Sequence, residues 1–279
     1  MRLHWIVKAL ILLILCVGVF SPIGWFAWKY LIEPYQPPPE EERMAPQDIS
    51  LPEFERVMDF VRQHRRSVEA RNALEHFMET YPFSGKMAEA RKVLGEVNTD
   101  IFFSAAPAPE KIRYEVQRGD NIDKIKHRLK IKTSDELIMR CNNLEDPRKL
   151  RIGQVIMITP SDFSIIIERK ERTVTLLNGG KFFKEYPAVS WNAPVPPRGA
   201  ENPPLTAKVT RKLAWSKDAL IHFGSKEYAG SNRWVETSVK GYTLYTEGGR
   251  KPSAGIGMEP EDMEEISTLV EKGVSVSIR

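Results

Sequence analysis

Hydrophobic positions fall into three textures along the chain. The first is an unbroken run: residues 9–28 read ALILLILCVGVFSPIGWFAW without a single charge. About 20 apolar residues at a rise of roughly 1.5 Å each span a hydrocarbon core of ~30 Å. The second texture is helical. Ser50-Leu51-Pro52-Glu53 offers a cap, then a proline and an acid in the first turn, and Phe54, Val57, Met58 and Val61 follow on one face. Ala73, Leu74, Phe77 and Tyr81 make a second series, which Pro82, Ser84 and Gly85 break; Met87, Ala90, Leu94 and Val97 make a third. The pattern predicts a helical hairpin across residues 50–103.

The third texture mixes short strands and turns. Tyr114 and Val116 alternate as a strand, and Gly119-Asp120-Asn121 turns into a helix whose inner face is Ile122, Ile125 and Leu129. Thr133-Ser134-Asp135-Glu136 caps a second helix with Leu137 and Ile138 inward, and Asn142-Asn143-Leu144 ends it. Leu150-Arg151-Ile152-Gly153-Gln154 then turns into a strand at Val155–Ile158. From Phe163 onward strands dominate. Ser164 to Glu168 and Thr173 to Leu177 are strands, and Asn178-Gly179-Gly180 is a hairpin turn after the second. Phe182, Phe183, Tyr186 and Val189 continue as strand before a Pro-rich loop, residues 191–204. Further short strands fall at 208–213, 234–238 and 242–245, a short helix at 262–270 and a last strand at 274–278. The fold class expected is multidomain α+β: a membrane helix, a helical hairpin, a βααβ module and a mostly β, sandwich-like C-terminal domain.

Charge orients this plan. Arg2 and Lys8 precede the apolar run, and Trp25, Trp28 and Tyr30 cluster at its far end as interfacial aromatics do. The run is read as a single-pass anchor in the inner membrane, with the bulk of the chain on the periplasmic, extracytoplasmic side. A cleaved signal peptide needs a shorter apolar core and a small-x-small site, and none stands before Trp25; a lipoprotein signal needs a small residue before Cys16, where Leu15 stands. Pro37-Pro38-Pro39 and Glu40-Glu41-Glu42 make a stiff, solvated spacer. The expected segments are an anchor at 1–32, a linker at 33–49, the hairpin at 50–103, a second linker at 104–113, the βααβ module at 114–160 and the β domain at 163–279. A net charge of +4 is too mild for a nucleic-acid binder. Two cysteines, Cys16 in the apolar run and Cys141 far downstream, make no disulfide framework. No ligand cluster suggests a metal, and no cofactor motif is present.

Residues 114–160 resemble the LysM (lysin motif) family over its full length of about 45 residues, through Y-x-V-x-x-G-D, the DELxxxNNL run and LRIGQVIMITP. The resemblance implies binding of N-acetylglucosamine-containing glycans, mainly peptidoglycan. It places the groove between Gly119, Asp120, Asn121 and Ile122 on one wall and Leu150, Arg151, Ile152 and Gly153 on the other. A spacer role, with Gly119, Asp120, Asn142 and Gly153 serving only turns and caps, is the competing reading. Lys124, Lys126, Arg128, Lys130 and Lys132 form a basic stretch, read as a solvated helix face. Ala73, Phe77, Tyr81-Pro82 and Ala90 resemble part of one tetratricopeptide unit, which fits a spacer or a docking hairpin for cell-wall enzymes.

The C-terminal segment is similar in plan to the L,D-transpeptidase catalytic domain, through FSIIIERKERTVTLLNGGKFFKEYPAVS, Pro204-Leu205-Thr206-Ala207, Gly241-Tyr242-Thr243-Leu244-Tyr245 and Ser253-Ala254-Gly255-Ile256. That family attacks a stem peptide with a Cys thiolate activated by His. The resemblance aligns Ile256 with the Cys, Ala254 with the adjacent His and Tyr245 with the upstream His, and the following Arg is missing. A thiolate and a base are what the reaction needs, and hydrocarbon supplies neither. Ser253 is the remaining hydroxyl of the loop, His222 the sole histidine of the domain, and Asp218 is close to it in sequence. The expectation is a peptidoglycan-binding protein with a non-catalytic transpeptidase-like domain. The alternative is a cell-wall enzyme acting with atypical residues.

Overall fold

The computed structural model describes residues 49–194 and 204–279, and Val7, Lys8 and Trp25 besides. The chain divides into two compact units, 1–48 and 49–279. The expected membrane span at 9–28, the linker before Ile49 and most of the Pro-rich loop lie outside the described residues. Among the described residues no helix is long and apolar enough to cross a membrane.

The second unit opens with three helices, α1 (Leu51–Gln63), α2 (Val68–Thr80) and α3 (Met87–Phe103). Proline and Glu53 favour the start of α1, but Ser50 does not cap it: its φ and ψ of −80° and −19° are already helical, and its hydroxyl meets Ser84 Oγ at 2.6 Å. Ser67 does cap α2, accepting from the Ala70 N–H. Phe54, Leu74, Phe77 and Leu94 close a core between the helices, with Phe54 and Phe77 ring centroids 5.4 Å apart. The segment is more than a hairpin. One face of α3 serves this helical core, and another packs on the C-terminal domain. There Asn98 Nδ2 donates to the Phe183 carbonyl at 2.8 Å, and Phe102 packs edge-on against Phe163 and Phe183.

Next come β1 (Ile112–Glu115), α4 (Ile122–Leu129), α5 (Asp135–Cys141) and β2 (Val155–Ile158), the strand-helix-helix-strand order read from the sequence. β1 and β2 pair antiparallel, and Tyr114, Ile122, Ile125, Ile138, Ile156 and Ile158 form a small core beneath them. Asn121 caps α4 through the Lys124 N–H, and Ser134 caps α5 through the Leu137 N–H. Leu137 is buried as expected, but in the core of the next domain rather than in this one.

The C-terminal domain contains β3 (Phe163–Glu168), β4 (Thr173–Asn178), β5 (Lys181–Pro187), β6 (Ser190–Trp191), β7 (Leu205–Ser216), β8 (Ala219–Ile221), β9 (Asn232–Thr237), β10 (Leu244–Thr246), β11 (Ile256–Met258), α6 (Pro260–Leu269) and β12 (Ser275–Ile278). The turn between β4 and β5 uses Gly179 and Gly180 at φ of 58° and 80°, a conformation that glycine adopts without strain. The strand order is β5-β4-β3-β12-β7-β9-β10-β11-β6, with β8 on β7. β7 joins the two halves. Leu205 to Lys208 pair with β12, and the stretch after the register shift at Val209 to Arg211 pairs with β9. Side chains from both halves meet in one core: Ile165, Ile167, Val174 and Leu176 from the first, Val235, Leu244, Ile256 and Met258 from the second, and Met263 and Ile266 from α6.

The βααβ module is fixed to this domain by a buried ionic contact. Glu136 on α5 receives Arg233 Nη1 at 2.9 Å, Lys212 Nζ at 3.0 Å and the Tyr228 hydroxyl at 2.6 Å. Arg233 also donates to Ser267 at 3.0 Å, and its guanidinium lies 3.9 Å from the Tyr228 ring centroid. Nearby, the Ser134 hydroxyl donates to the Thr268 carbonyl.

Candidate functional site

The two loops assigned to the groove are brought together by the β1–β2 ladder, which continues past the strands. Gly153 N donates to Val116 O at 2.8 Å, and Val116 N to Gln154 O at 2.9 Å. Gly119 and Gly153 take φ of 81° and 79°, and nothing lies within 4 Å of where a Cβ would stand on either. Both loops can therefore turn tightly with open backbone. Ile152 is 70% exposed beside them, an apolar side chain with no core contact to explain it. Arg151 and Asn121 are exposed, and Leu150 packs partly on the module core.

Two of the eight assigned residues face inward. Ile122 is buried in the module core. The Asp120 side chain is covered and held from three sides: Tyr114 OH donates at 2.8 Å, Gln117 N at 2.8 Å, and Arg128 Nη2 reaches the other oxygen at 2.9 Å. Burial pushes its pKa up, but the bonds from Gln117, Tyr114 and Arg128 outweigh this and hold the carboxyl below the usual carboxylate range. Asp120 thus shapes the loop from beneath. Of the eight, the parts left open to solvent are loop backbone and the Asn121, Arg151 and Ile152 side chains. In the basic stretch, Lys126 pairs with Asp135 and Arg128 with Asp120, so those two serve the fold.

The second candidate site lies on β10 and β11, which pair in parallel with Leu244 opposite Ile256 and Tyr245 opposite Gly257. Alternation along β11 sends Ile256 and Met258 into the core, where both are fully buried. The position aligned with a nucleophile is therefore an inward one. On the opposite face stands Gly257, where a Cβ would meet Glu247 Oε2 at 2.1 Å and Ser190 Oγ at 2.3 Å. The outward face of β11 thus carries no side chain at this point.

Over Gly257 lies a polar chain that sequence reasoning missed. The Ser190 and Tyr245 hydroxyls are 2.9 Å apart, Ser190 also donates to Glu247, and Lys251 pairs with Glu247. No local signal could have revealed it, because Ser190 and Tyr245 are 55 residues apart and meet only through β6–β11–β10 pairing. The Lys251 and Ser190 hydrogen bonds hold the Glu247 carboxyl below its usual value. A carboxylate so stabilised is a weak base and a poor activator of a serine. The other serine candidate fares no better. Ser253, His222 and Asp218 are surface residues, with Asp218 99% exposed, and no hydrogen bond among the described residues joins any two of them. No group of His, Cys, Asp and Glu among the described residues could hold a metal ion.

The family model described as LysM domain matches residues 114–159. No curated protein matches the chain. Solved structures similar to it include L,D-transpeptidase 1 of Mycobacterium tuberculosis, at 12% identity and a TM-score of 0.29, covering 46% of this chain and 67% of that one. An Enterococcus faecium L,D-transpeptidase matches at 16% identity and 0.29, covering 46% and 56%. An L,D-transpeptidase of Stackebrandtia nassauensis matches at 10% and 0.29, covering 74% and 76%. At these identities and scores the likenesses carry no weight for chemistry. Residues 114–159 are a LysM domain, held through Glu136 against a β-rich C-terminal domain.

Proposed function

We propose that this chain is a membrane-anchored peptidoglycan-binding protein of the cell envelope. Its LysM domain holds N-acetylglucosamine-containing glycan, and its C-terminal domain, transpeptidase-like in plan, is non-catalytic. The observation that supports the reading is a pair of glycine turns side by side on the LysM domain, each with open space where a Cβ would stand, and Ile152 exposed beside them. Backbone N–H and C=O groups suit acetamido groups, and an isolated apolar side chain suits a sugar face. The anchor rests on the uncharged run at 9–28 and its flanking charges and aromatics.

Loss of catalysis rests on two facts. Residues 163–279 contain no cysteine, and of the serines considered, Ser190 meets a carboxylate held below its usual value while Ser253 makes no hydrogen bond to His222 among the described residues. Sedimentation of the protein with purified sacculi tests the binder, with Ile152→Asp expected to weaken the interaction and wild-type protein left in the supernatant sinking it. Incubation with disaccharide-tetrapeptide and mass analysis of protein and product tests the enzyme alternative, which a covalent adduct or a shortened stem would support.

A further inference from the structure

The LysM loop that forms one wall of the groove does not end there. Residues 150–153 are the wall assigned to the groove, and Leu144, Glu145, Asp146, Arg148 and Lys149 just before them line a cleft of about 830 Å³ against the C-terminal domain. That volume is within the usual range for a small-molecule site. Met139, Leu144 and Phe223 give it apolar walls, and the buried Glu136–Arg233 pair stiffens its floor. The rim carries both signs of charge. Arg148 pairs with Asp146 and Lys149 with Glu145, while Lys226, from the facing domain, has no ion-pair partner among the described residues. Ser225 Oγ, at the same edge, is buried and has no hydrogen-bond partner among the described residues. The Lys149–Glu145 pair is exposed and contributes about 0–1 kcal/mol, so it exchanges partners at little cost, whereas Arg148 holds both Asp146 oxygens through Nε and Nη2 and keeps Nη1 without a partner among the described residues.

We propose that this cleft is a second subsite, and that it takes the peptide stem of the glycan held in the groove. The inference rests on the glycan reading above and deepens it. The ligand class is a short peptide with free carboxylates and a diamino-acid ammonium group. Lys226 and Arg148 would receive the carboxylates, Glu145 the ammonium, and Met139, Leu144 and Phe223 the small apolar side chains. A stem attached to a sugar at the groove has only the 144–150 loop to cross. The two subsites share that loop, and Glu136 fixes the opposite wall, so the two ends of the ligand bind with little further ordering.

Calorimetric titration of the full chain in detergent tests this with four probes: a peptide-free N-acetylglucosamine tetramer, a disaccharide-tetrapeptide, the same disaccharide without peptide and the free tetrapeptide. The disaccharide-tetrapeptide should bind about tenfold tighter than its peptide-free disaccharide. The paired variant Lys226→Glu, Arg148→Glu should remove that increment and leave tetramer binding unchanged; both side chains are exposed, so the fold should tolerate it. Equal affinities with and without peptide, or an increment that survives the variant, would overturn the cleft assignment while leaving the glycan reading in place. Free tetrapeptide bound in a variant-sensitive way, with no tetramer binding, would support the cleft and overturn the groove. No binding of any probe would overturn both.

Discussion

Asp120 and Ile152 belong to the two loops proposed as one groove, and the structure gives them opposite surroundings. Ile152 is open to solvent, and its replacement by Asp exchanges the apolar surface offered to a glycan for a solvated charge. Burying such a side chain contributes about 1.5–3 kcal/mol, so Ile152→Asp should weaken sacculus binding by roughly tenfold or more, with an unchanged melting temperature. Asp120 works through the loop. Its folded pKa lies below the ordinary carboxylate value, so its contribution is complete above about pH 3.9 and is lost as pH falls through the folded value. The protection of the Gln117 amide, whose N–H it accepts, measured against the intrinsic exchange rate at each pH, should therefore fall on acidification below that point. In Asp120→Asn the same amide should exchange faster at neutral pH and show no such acid step. An unaltered acid response in the variant would place the titrating group elsewhere.

Among the elements, α3 is the one whose role the sequence conceals. Its periodicity announces one buried face, and its caps and length are local matters. The second face exists only because β5 lies against it, and no spacing within residues 87–103 encodes that. Gly95 marks the contact: a methyl there would lie 2.8 Å from Lys184 Cγ and 3.2 Å from its Cβ. Helix propensity alone predicts that Gly95→Ala gains about 1 kcal/mol. Overpacking a close contact costs about 1–3 kcal/mol, and Lys184 is not free to move aside, since Glu265 holds its ammonium at 2.6 Å. Packing should prevail, and Gly95→Ala should lower the melting temperature; a rise would show that Lys184 gives way to the methyl and that the contact is looser than its distances indicate. The LysM elements were legible for the opposite reason. Asn121 and Ser134 cap their helices within three residues, Gly119 and Gly153 set their turns alone, and every strand partner lies within the module. The strand β11 was hidden because three residues flanked by turns, one of them Gly257, carry no strand pattern until β10 and β6 pair with them.

At the scale of the whole molecule, the LysM and C-terminal domains meet through a buried charge cluster set beside apolar contacts, with Leu137 in the C-terminal core and Phe223 against the LysM core. Glu136 is 9% exposed and Arg233 4%, so neither can shed its charge to water if its partner is lost. Removing one member of a buried pair costs about 3–5 kcal/mol. Glu136→Ala should bring a large fall in melting temperature, whereas Glu136→Gln, which keeps an acceptor for Arg233 and Tyr228, should cost less; equal small shifts in both would mean that Leu137 packing alone holds the joint. The same three-dimensional logic bears on chemistry. The sequence resemblance suggests that Ile256→Cys would give the C-terminal domain a nucleophile. Strand alternation says otherwise, because position 256 faces the core among Leu244, Met258 and Ile266, and the outward position is Gly257 beneath Ser190 and Glu247. A thiol at 256 would be desolvated, and burial without a cationic neighbour raises its pKa and leaves it inert. The expected result for Ile256→Cys is a folded protein whose new thiol reacts with an aromatic disulfide reagent only after denaturation and that still forms no acyl adduct with disaccharide-tetrapeptide. Rapid labelling in the native state, or a stem-derived thioester at that residue, would put the side chain on the solvent face and return the domain to the enzymes.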